Sequence, residues 1–412
     1  MLTTPQDWLI FIQKPQFLSY TYENQFFSTE KLALYLQKHH TAWPRQVIIA
    51  QIKNIQKAHK KLPSWVDAQC IFPTQAYEQA TSERAAAFKT NYTGKILLDI
   101  GLGLGVDSWN FSSAFEEVWS VEKDPVLCKI AHHNLHRLLG RPNIKIIETS
   151  IEQILQSRLP RNIDTIYIDP SRRNEIKPKL TAINYLEPNL LKLLPILRPQ
   201  TQTIILKLSP LFDIQEGLRV FHPYVNKVQV IAIDNECKEV VFELNTTGIY
   251  SSPIIEACID RNKDIQVINC NLEKLKELDF PFAQEGCFLY EADVGIYKAG
   301  LEALLTEKFK EQGALGWTSK GGYLLSNEML QNFPGKGYAI EGPFLYKKYQ
   351  ARRLLHQKKI NYATLSKKNI EISIQQLYRE LEVKPKEGIT LFFTQNKRKE
   401  SIFFIGERVS RN

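Results

Sequence analysis

The middle of the chain alternates short apolar runs with longer stretches of helical spacing. Ile96–Leu98, Val118–Val121, Ile144–Glu148, Thr165–Ile168 and Thr203–Lys207 are brief, largely apolar runs, the pattern of strands buried on both faces of a parallel sheet. Between them, Asp124–Leu139, Ser150–Gln156, Asn184–Leu197 and Ile214–Phe221 carry apolar residues at helical spacing. Two last runs, Val228–Ile233 and Glu239–Leu244, joined by the polar residues 234–238, predict an antiparallel hairpin. Strand and helix alternate throughout, so residues 91–248 are expected to form a doubly wound α/β domain.

The flanks read differently. Residues 1–90 predict a mainly helical region. Ser28 precedes a helix carrying Leu32 and Leu36, Arg45–Lys61 has apolar residues at 47, 48, 52 and 55, and Gln75–Lys89 forms a further helix. Residues 249–344 predict a small α+β, ferredoxin-like module. Its elements are a strand at Ile265–Ile268, the segment 287–300 followed by a helix, then Tyr323–Ser326 and a strand up to Ile340. Residues 345–412 form a last module, with alternation at Ile370, Ile372 and Ile374, a helix through Leu381, and strands at Ile389–Thr394 and Ser401–Ile405.

Length and charge sharpen this picture. A chain of 412 residues is long for one domain. The six cysteines form no C-x-x-C pair, which argues against zinc and, with no secretory leader, predicts reduced thiols and a cytoplasmic protein. No apolar run approaches the roughly eighteen residues of a membrane helix. The net charge of +9 is unevenly placed: residues 346–412 hold sixteen Lys or Arg against six Asp or Glu, a net of +10. A basic module on a near-neutral body suits phosphate capture, and it also suits a solvated basic face that keeps a protein soluble. The hairpin tip Lys397-Arg398-Lys399 is the most concentrated candidate for phosphate contact.

Candidate chemistry begins at Lys95. An apolar run is closed by Asp99 and followed by Gly101, Gly103 and Gly105, then a helical stretch and a second run ending in Glu122. This is strand, glycine turn, helix, strand. The glycines read G-x-G-x-G, one residue short of the dinucleotide fingerprint, and no Gly-Lys-Ser/Thr follows to make a P-loop. A tight turn in another doubly wound domain stays open on spacing alone. The pattern D-x-G-x-G-x-G with Glu122 beyond it resembles class I S-adenosylmethionine-dependent methyltransferases.

That resemblance implies specific roles. Asp99, Gly101, Gly103, Gly105 and Asp107 would lie against the methionine part of S-adenosylmethionine, and Glu122 would grip the ribose hydroxyls. Ser150 and Ile151 would meet the adenine. Thr81 and Ser82, in a Thr-Ser-Glu segment ahead of the turn, would fold over the cofactor; either could equally be a helix cap. After the fourth strand, Asp169-Pro170-Ser171-Arg172 is similar to the D-P-P-x motif of methyltransferases acting on nucleic-acid bases, where the acid orients an amine toward the methyl donor. Ser171 replaces the second proline and Arg172 stands where an aromatic would stack. The D-P-x-R form is also similar to enzymes methylating carbon 5 of uracil, but the thiol they need is missing from Lys207-Leu208-Ser209-Pro210. Arg173 is a candidate contact to substrate phosphate or base.

As a set, D-x-G-x-G-x-G-V-D-S, D-P-S-R-R, N-E-C-K-E, Y-E-x-D-V-G-I-Y-K-A-G and the basic tail resemble bacterial methyltransferases with a C-terminal THUMP-like domain. The resemblance implies a Rossmann-like methyltransferase sheet, S-adenosylmethionine as cofactor, and an RNA partner such as tRNA or rRNA. With no C-x-x-C pair and no long apolar run, neither a metal nor a membrane partner is expected. A protein or small-molecule acceptor, or an RNA-binding protein that keeps only the cofactor fold, are the alternatives.

Overall fold

The computed structural model describes residues 3–40, 42–138, 143–156, 159–160, 162–172, 183 and 186–409. The chain divides into two units, residues 1–227 with 238–251, and residues 228–237 with 252–412. Both are built around sheets, so the chain joins a Rossmann-like methyltransferase fold to a separate C-terminal sheet domain.

The first unit opens with short helices: α1 (Ile10–Gln13), α2 (Pro15–Glu23), α3 (Thr29–His39), α4 (Arg45–Lys61) and α5 (Pro63–Asp67). Ser28 caps α3 as its sequence suggests, and α4 has the expected bounds. The helix expected over Gln75–Lys89 is instead two, α6 (Thr74–Gln79) and α7 (Glu83–Ala87), because Ala80 and Ser82 are extended and the Ser82 hydroxyl caps α7.

The sheet of this unit runs in the order β9-β7-β4-β1-β2-β3. The strands are β1 (Gly94–Ile100), β2 (Phe115–Glu122), β3 (Ile144–Glu148), β4 (Ile163–Ile168), β7 (Thr201–Leu208) and β9 (Glu236–Asn245). All neighbours are parallel except β9, which runs antiparallel to β7. Between them lie α8 (Val106–Phe111), α9 (Pro125–Arg137), α10 (Ile151–Gln156), α11 (Leu190–Leu197) and α12 (Ile214–Val220). A two-stranded ribbon, β5 (Ser171–Arg172) with β6 (Leu186–Glu187), occupies part of the stretch expected to be helical from Asn184. The helix starts later because Asn189 caps it. β8 (Val225–Ile233) precedes the hairpin turn Asp234–Asn235, whose φ values of 51° and 64° are those of a tight turn.

The N-terminal helices share one apolar core with the sheet domain, since Trp8, Phe11, Ile48, Ile52, Trp65 and Phe72 cluster with Leu104, Val106, Val126 and Ile130. At its centre, Cys70-Ile71-Phe72 is buried with no strand beside it, and side chains satisfy its backbone. Tyr22 and Gln51 donate to the Cys70 carbonyl, the Phe72 N–H donates to Gln51, and Asn54 donates to the Phe72 carbonyl. Asn134 of α9 both accepts from the Ile71 N–H and donates to its carbonyl, each at 2.8 Å. The boundary expected at residue 90 therefore falls within one core.

In the second unit, β10 (Ile254–Arg261) and β11 (Asp264–Asn271) form a hairpin beside β8. β10 was not expected from the pattern, because its Glu256 and Asp260 interrupt the apolar run. A short helix, α13 (Leu272–Glu277), follows. Then β12 (Phe288–Ala292), α14 (Val294–Ala299), α15 (Glu302–Phe309), β13 (Ala314–Trp317), β14 (Leu324–Ser326) and β15 (Gly335–Leu345) lead into α16 (Lys348–Gln357), β16 (Thr364–Lys367), α17 (Ile374–Leu381), β17 (Ile389–Gln395) and β18 (Ser401–Arg408). The strands form one seven-stranded sheet ordered β13-β14-β12-β15-β18-β17-β16. β15 pairs with both β12 and β18, so the boundary expected at 344/345 lies inside a single sheet. Residues 370–373, expected as alternating strand, form none.

β17 and β18 are apolar at their centres because both faces are covered there. Leu391, Phe393, Phe403 and Ile405 pack with Ala351, Leu355, Leu377 and Leu381 of α16 and α17, while Phe392, Ile402 and Phe404 pack with Leu289, Tyr323 and Leu325.

Asn134→Leu tests whether the N-terminal helices are integral to the first unit. It strands a buried N–H and a buried carbonyl, at a cost of about 2–4 kcal/mol. Urea unfolding should show that loss in the transition assigned to this unit; a midpoint equal to the parent's would contradict it.

Candidate active site

The sheet's topology puts the ends of β1, β2 and β4 side by side. Asp99 lies opposite Ser120 of β2 and Tyr167 of β4. The turn after β1 takes φ values of +102°, +57° and +94° at Gly101, Gly103 and Gly105, a left-handed region that favours glycine. A Cβ on Gly101 would sit 3.3 Å from the Asp169 carbonyl, whereas at Gly103 nothing lies nearer than 3.9 Å. The turn is thus pressed against the end of β4 and open at its middle.

Glu122 closes β2 as the sequence suggests. Its carboxylate accepts from the Gly103 N–H at 3.1 Å and the Asp124 N–H at 3.0 Å, so it is oriented by the turn it would serve. Ser150 caps α10, accepting from Gln153 N–H, and Ile151 is buried. Thr81 is buried and donates to Asp107 at 2.6 Å, while Ser82 is a helix cap.

Beneath the turn runs a chain of alternating charges. Glu239 of β9 pairs with Lys89, Lys89 with Asp107 at 3.2 Å, and Lys207 of β7 with Asp107 at 3.4 Å and Asp169 at 2.5 Å. Lys207 also donates to Thr81 at 2.7 Å. Burial works against the Lys207 ammonium, but Asp169, Asp107 and Glu239 hold its pKa above the ordinary lysine value. Burial likewise disfavours the Asp107 carboxylate, yet Lys89 and Lys207 outweigh it and hold its pKa low. For Asp169 and Glu239 burial wins over their lysines and the pKa rises. Asp169 keeps 32% of its side chain exposed, so it has an open side away from Lys207.

Asp99 lies outside this chain of pairs. It accepts from the Ser108 hydroxyl, which also bonds Ser120, while its Oδ1 and the nearby Tyr167 hydroxyl are buried with no partner among the described residues. Burial pushes its pKa up to about 8, against the Ser108 hydrogen bond and helped by repulsion from Asp107 and Asp169.

Pro170 is buried and Ser171 is exposed, its hydroxyl donating to the Glu187 carbonyl at 3.4 Å. Arg172 pairs through its backbone with Leu186. Arg173 lies outside the described residues. Lys397, Arg398 and Lys399 sit on the β17–β18 turn of the second unit. Lys89, Lys207 and Glu239 were not singled out as site residues by pattern, although a lone lysine inside Ile204-Ile205-Leu206-Lys207-Leu208 is a signal that such a strand carries a buried charge. A cavity of about 630 Å³ between α1, α9 and β3, lined by Leu9, Cys128, His133 and Glu148 among others, includes none of these site residues. No group able to hold a metal ion occurs among the described residues, and no described helix is long and apolar enough to cross a membrane.

The sheet of the first unit has the Rossmann-like methyltransferase fold. Residues 335–408 match the family described as THUMP domain-like, so the C-terminal sheet domain carries a THUMP-like region. A proposed methyltransferase from Porphyromonas gingivalis W83 has the same fold from end to end, with 20% identity, a TM-score of 0.79 and full coverage of both chains. Two partial likenesses are to a precorrin 8w decarboxylase of Methanobacterium thermoautotrophicum (18% identity, TM-score 0.30, 40% of this chain and 91% of that one) and to M. capricolum TrmK with S-adenosylhomocysteine (13% identity, TM-score 0.30, 40% and 69%). No match to a curated protein is found.

Asp99→Asn tests the buried, protonated carboxyl. The folded chain holds this proton to about pH 8, whereas the unfolded chain releases it near its ordinary value of about 3.9. Its contribution to stability is therefore full below about pH 4 and is lost as pH rises through about 8. Because the amide does not titrate, the variant should gain stability relative to the parent from about pH 5 to 8 in urea titrations. A difference independent of pH would contradict the assignment.

Proposed function

We propose that the protein is an S-adenosylmethionine-dependent methyltransferase acting on a base, at a ring or exocyclic nitrogen, in structured RNA such as tRNA or rRNA. The observation that carries this reading is the open glycine turn pressed against Asp169 at the end of β4, with Glu122 oriented beside it. The groups present fit the cofactor. Glu122 suits the ribose hydroxyls, and the glycine turn is open at Gly103, between Gly101 and Gly105, which leaves space there for the methionine portion. The unpartnered Asp99 Oδ1 and the neighbouring Asp107 give that end polar partners. Ser150 and Ile151 suit the adenine, and Thr81 and Ser82 lie in the segment that would cover the site.

When bound, S-adenosylmethionine supplies an electrophilic methyl group. This chain's part is to place the acceptor. Asp169, held by Lys207 on one oxygen, accepts a hydrogen bond from an amine N–H on its open side and so aims the nitrogen lone pair; positioning of this kind supplies most of the rate. Pro170, Ser171 and Arg172 shape the acceptor side, with Arg173 next in line for phosphate or base. The thiol required for carbon-5 chemistry is missing from the end of β7, which favours nitrogen. The THUMP-like match and the +10 charge of residues 346–412 support an RNA acceptor over a protein or small molecule, with Lys397, Arg398 and Lys399 contacting phosphate. A cytoplasmic location fits such a substrate.

Glu122→Ala should weaken S-adenosylmethionine binding by about tenfold or more in calorimetry, because a charged contact to the ribose is lost; unchanged affinity would remove the ribose assignment. Asp169→Ala should leave that affinity close to the parent's while transfer of labelled methyl to bulk cellular RNA falls at least about a hundredfold. Full transfer by that variant would remove Asp169 from the chemistry.

A further inference from the structure

The helix α16 and its flanks carry six cations, of which Arg352 is paired with Glu382 and Lys358 with Glu341. Between Tyr346 and Asn361 stand Lys347, Lys348, Arg352, Arg353, Lys358 and Lys359 with no acidic residue among them. Only Ala351 and Leu355 of the helix are buried, four residues apart on the face that meets the sheet. Beside the helix is a cavity of about 420 Å³ whose lining includes Tyr349, Arg352, Arg353 and His356 with apolar Leu355 and Leu381. Sites for small ligands are commonly about 300–1,000 Å³. Glu382, the acid in that lining, is already paired with Arg352, and no ion pair to Arg353 occurs among the described residues. Tyr349 is 78% exposed, with the Lys348 ammonium 5.9 Å from its ring centre. An aromatic ring held in water beside cations and an apolar recess is a stacking platform for a base whose phosphate has somewhere to go.

We propose that this cavity binds one unpaired nucleotide of an RNA, its base stacked on Tyr349 and its phosphate on Arg353, with Arg352 held in place by Glu382. The inference rests on the RNA reading above and adds what that reading lacks: a place in the THUMP-like region that distinguishes an unpaired base from a duplex.

The test uses the full chain, single-stranded oligo(A) RNA and a blunt RNA duplex, with affinity measured across a salt series. Tyr349→Ala should weaken oligo(A) binding about 5- to 100-fold with its salt slope unchanged and leave duplex binding as it was, while Tyr349→Phe binds like the parent. Arg353→Ala should weaken binding and flatten the slope by about one phosphate. If the parent binds oligo(A) in a salt-dependent way and Tyr349→Ala and Arg353→Ala match it, the cavity is not the site and the RNA reading stands. Equal loss on oligo(A) and duplex by Tyr349→Ala would overturn the stacking. A parent that binds neither RNA would overturn the RNA reading itself.

Discussion

Lys207 lies between Asp107 and Asp169, and the candidate site depends on it. A buried ammonium is costly unless carboxylates surround it, and this one is met by two, with the Thr81 hydroxyl completing its contacts. The pairs continue through Lys89 to Glu239. The chain thereby ties β4, β7 and β9 to α8 and to the segment before β1. Buried ion pairs of this sort contribute little net stability compared with apolar packing. Their effect is on placement: removing one member leaves an uncompensated charge, so Asp169 has one favourable position, beside the glycine turn.

That constraint explains why the glycine turn and the end of β4 meet. A Cβ on Gly101 would crowd the Asp169 carbonyl at 3.3 Å, and Glu122 is held by the N–H groups of Gly103 and Asp124. The turn, the acid on β2 and the acid on β4 thus come from three separate strands whose order in the sheet brings them together.

Much of this was legible in the sequence, and the gaps have physical causes. The parallel strands read clearly because they are buried on both faces, and α4 and α3 because their spacing and cap are regular. The break between α6 and α7 was only half legible: Ser82 is the helix cap that the sequence offers, but the helical spacing of Gln75–Lys89 runs across it, and Thr81 turns inward to Asp107 and Lys207. β10 was missed because Glu256 and Asp260 break its apolar run, and the single C-terminal sheet because β15 pairs on both sides across a distance no local pattern reports. Asp99, Glu122 and Asp169 stood out through the resemblance of their motifs to those of methyltransferases. Lys89 and Glu239 did not, because a buried ion pair between residues 150 positions apart leaves no local signature.

The two units divide the proposed labour: the first supplies the cofactor turn and the acceptor acid, and the second supplies the positive charge. The most direct measurement of that account is the methylated-nucleoside profile of RNA from cells with and without this chain. One methylated nucleoside should be missing when the chain is lost, returning with the parent and not with Asp169→Ala. An unchanged profile of methylated nucleosides would contradict it.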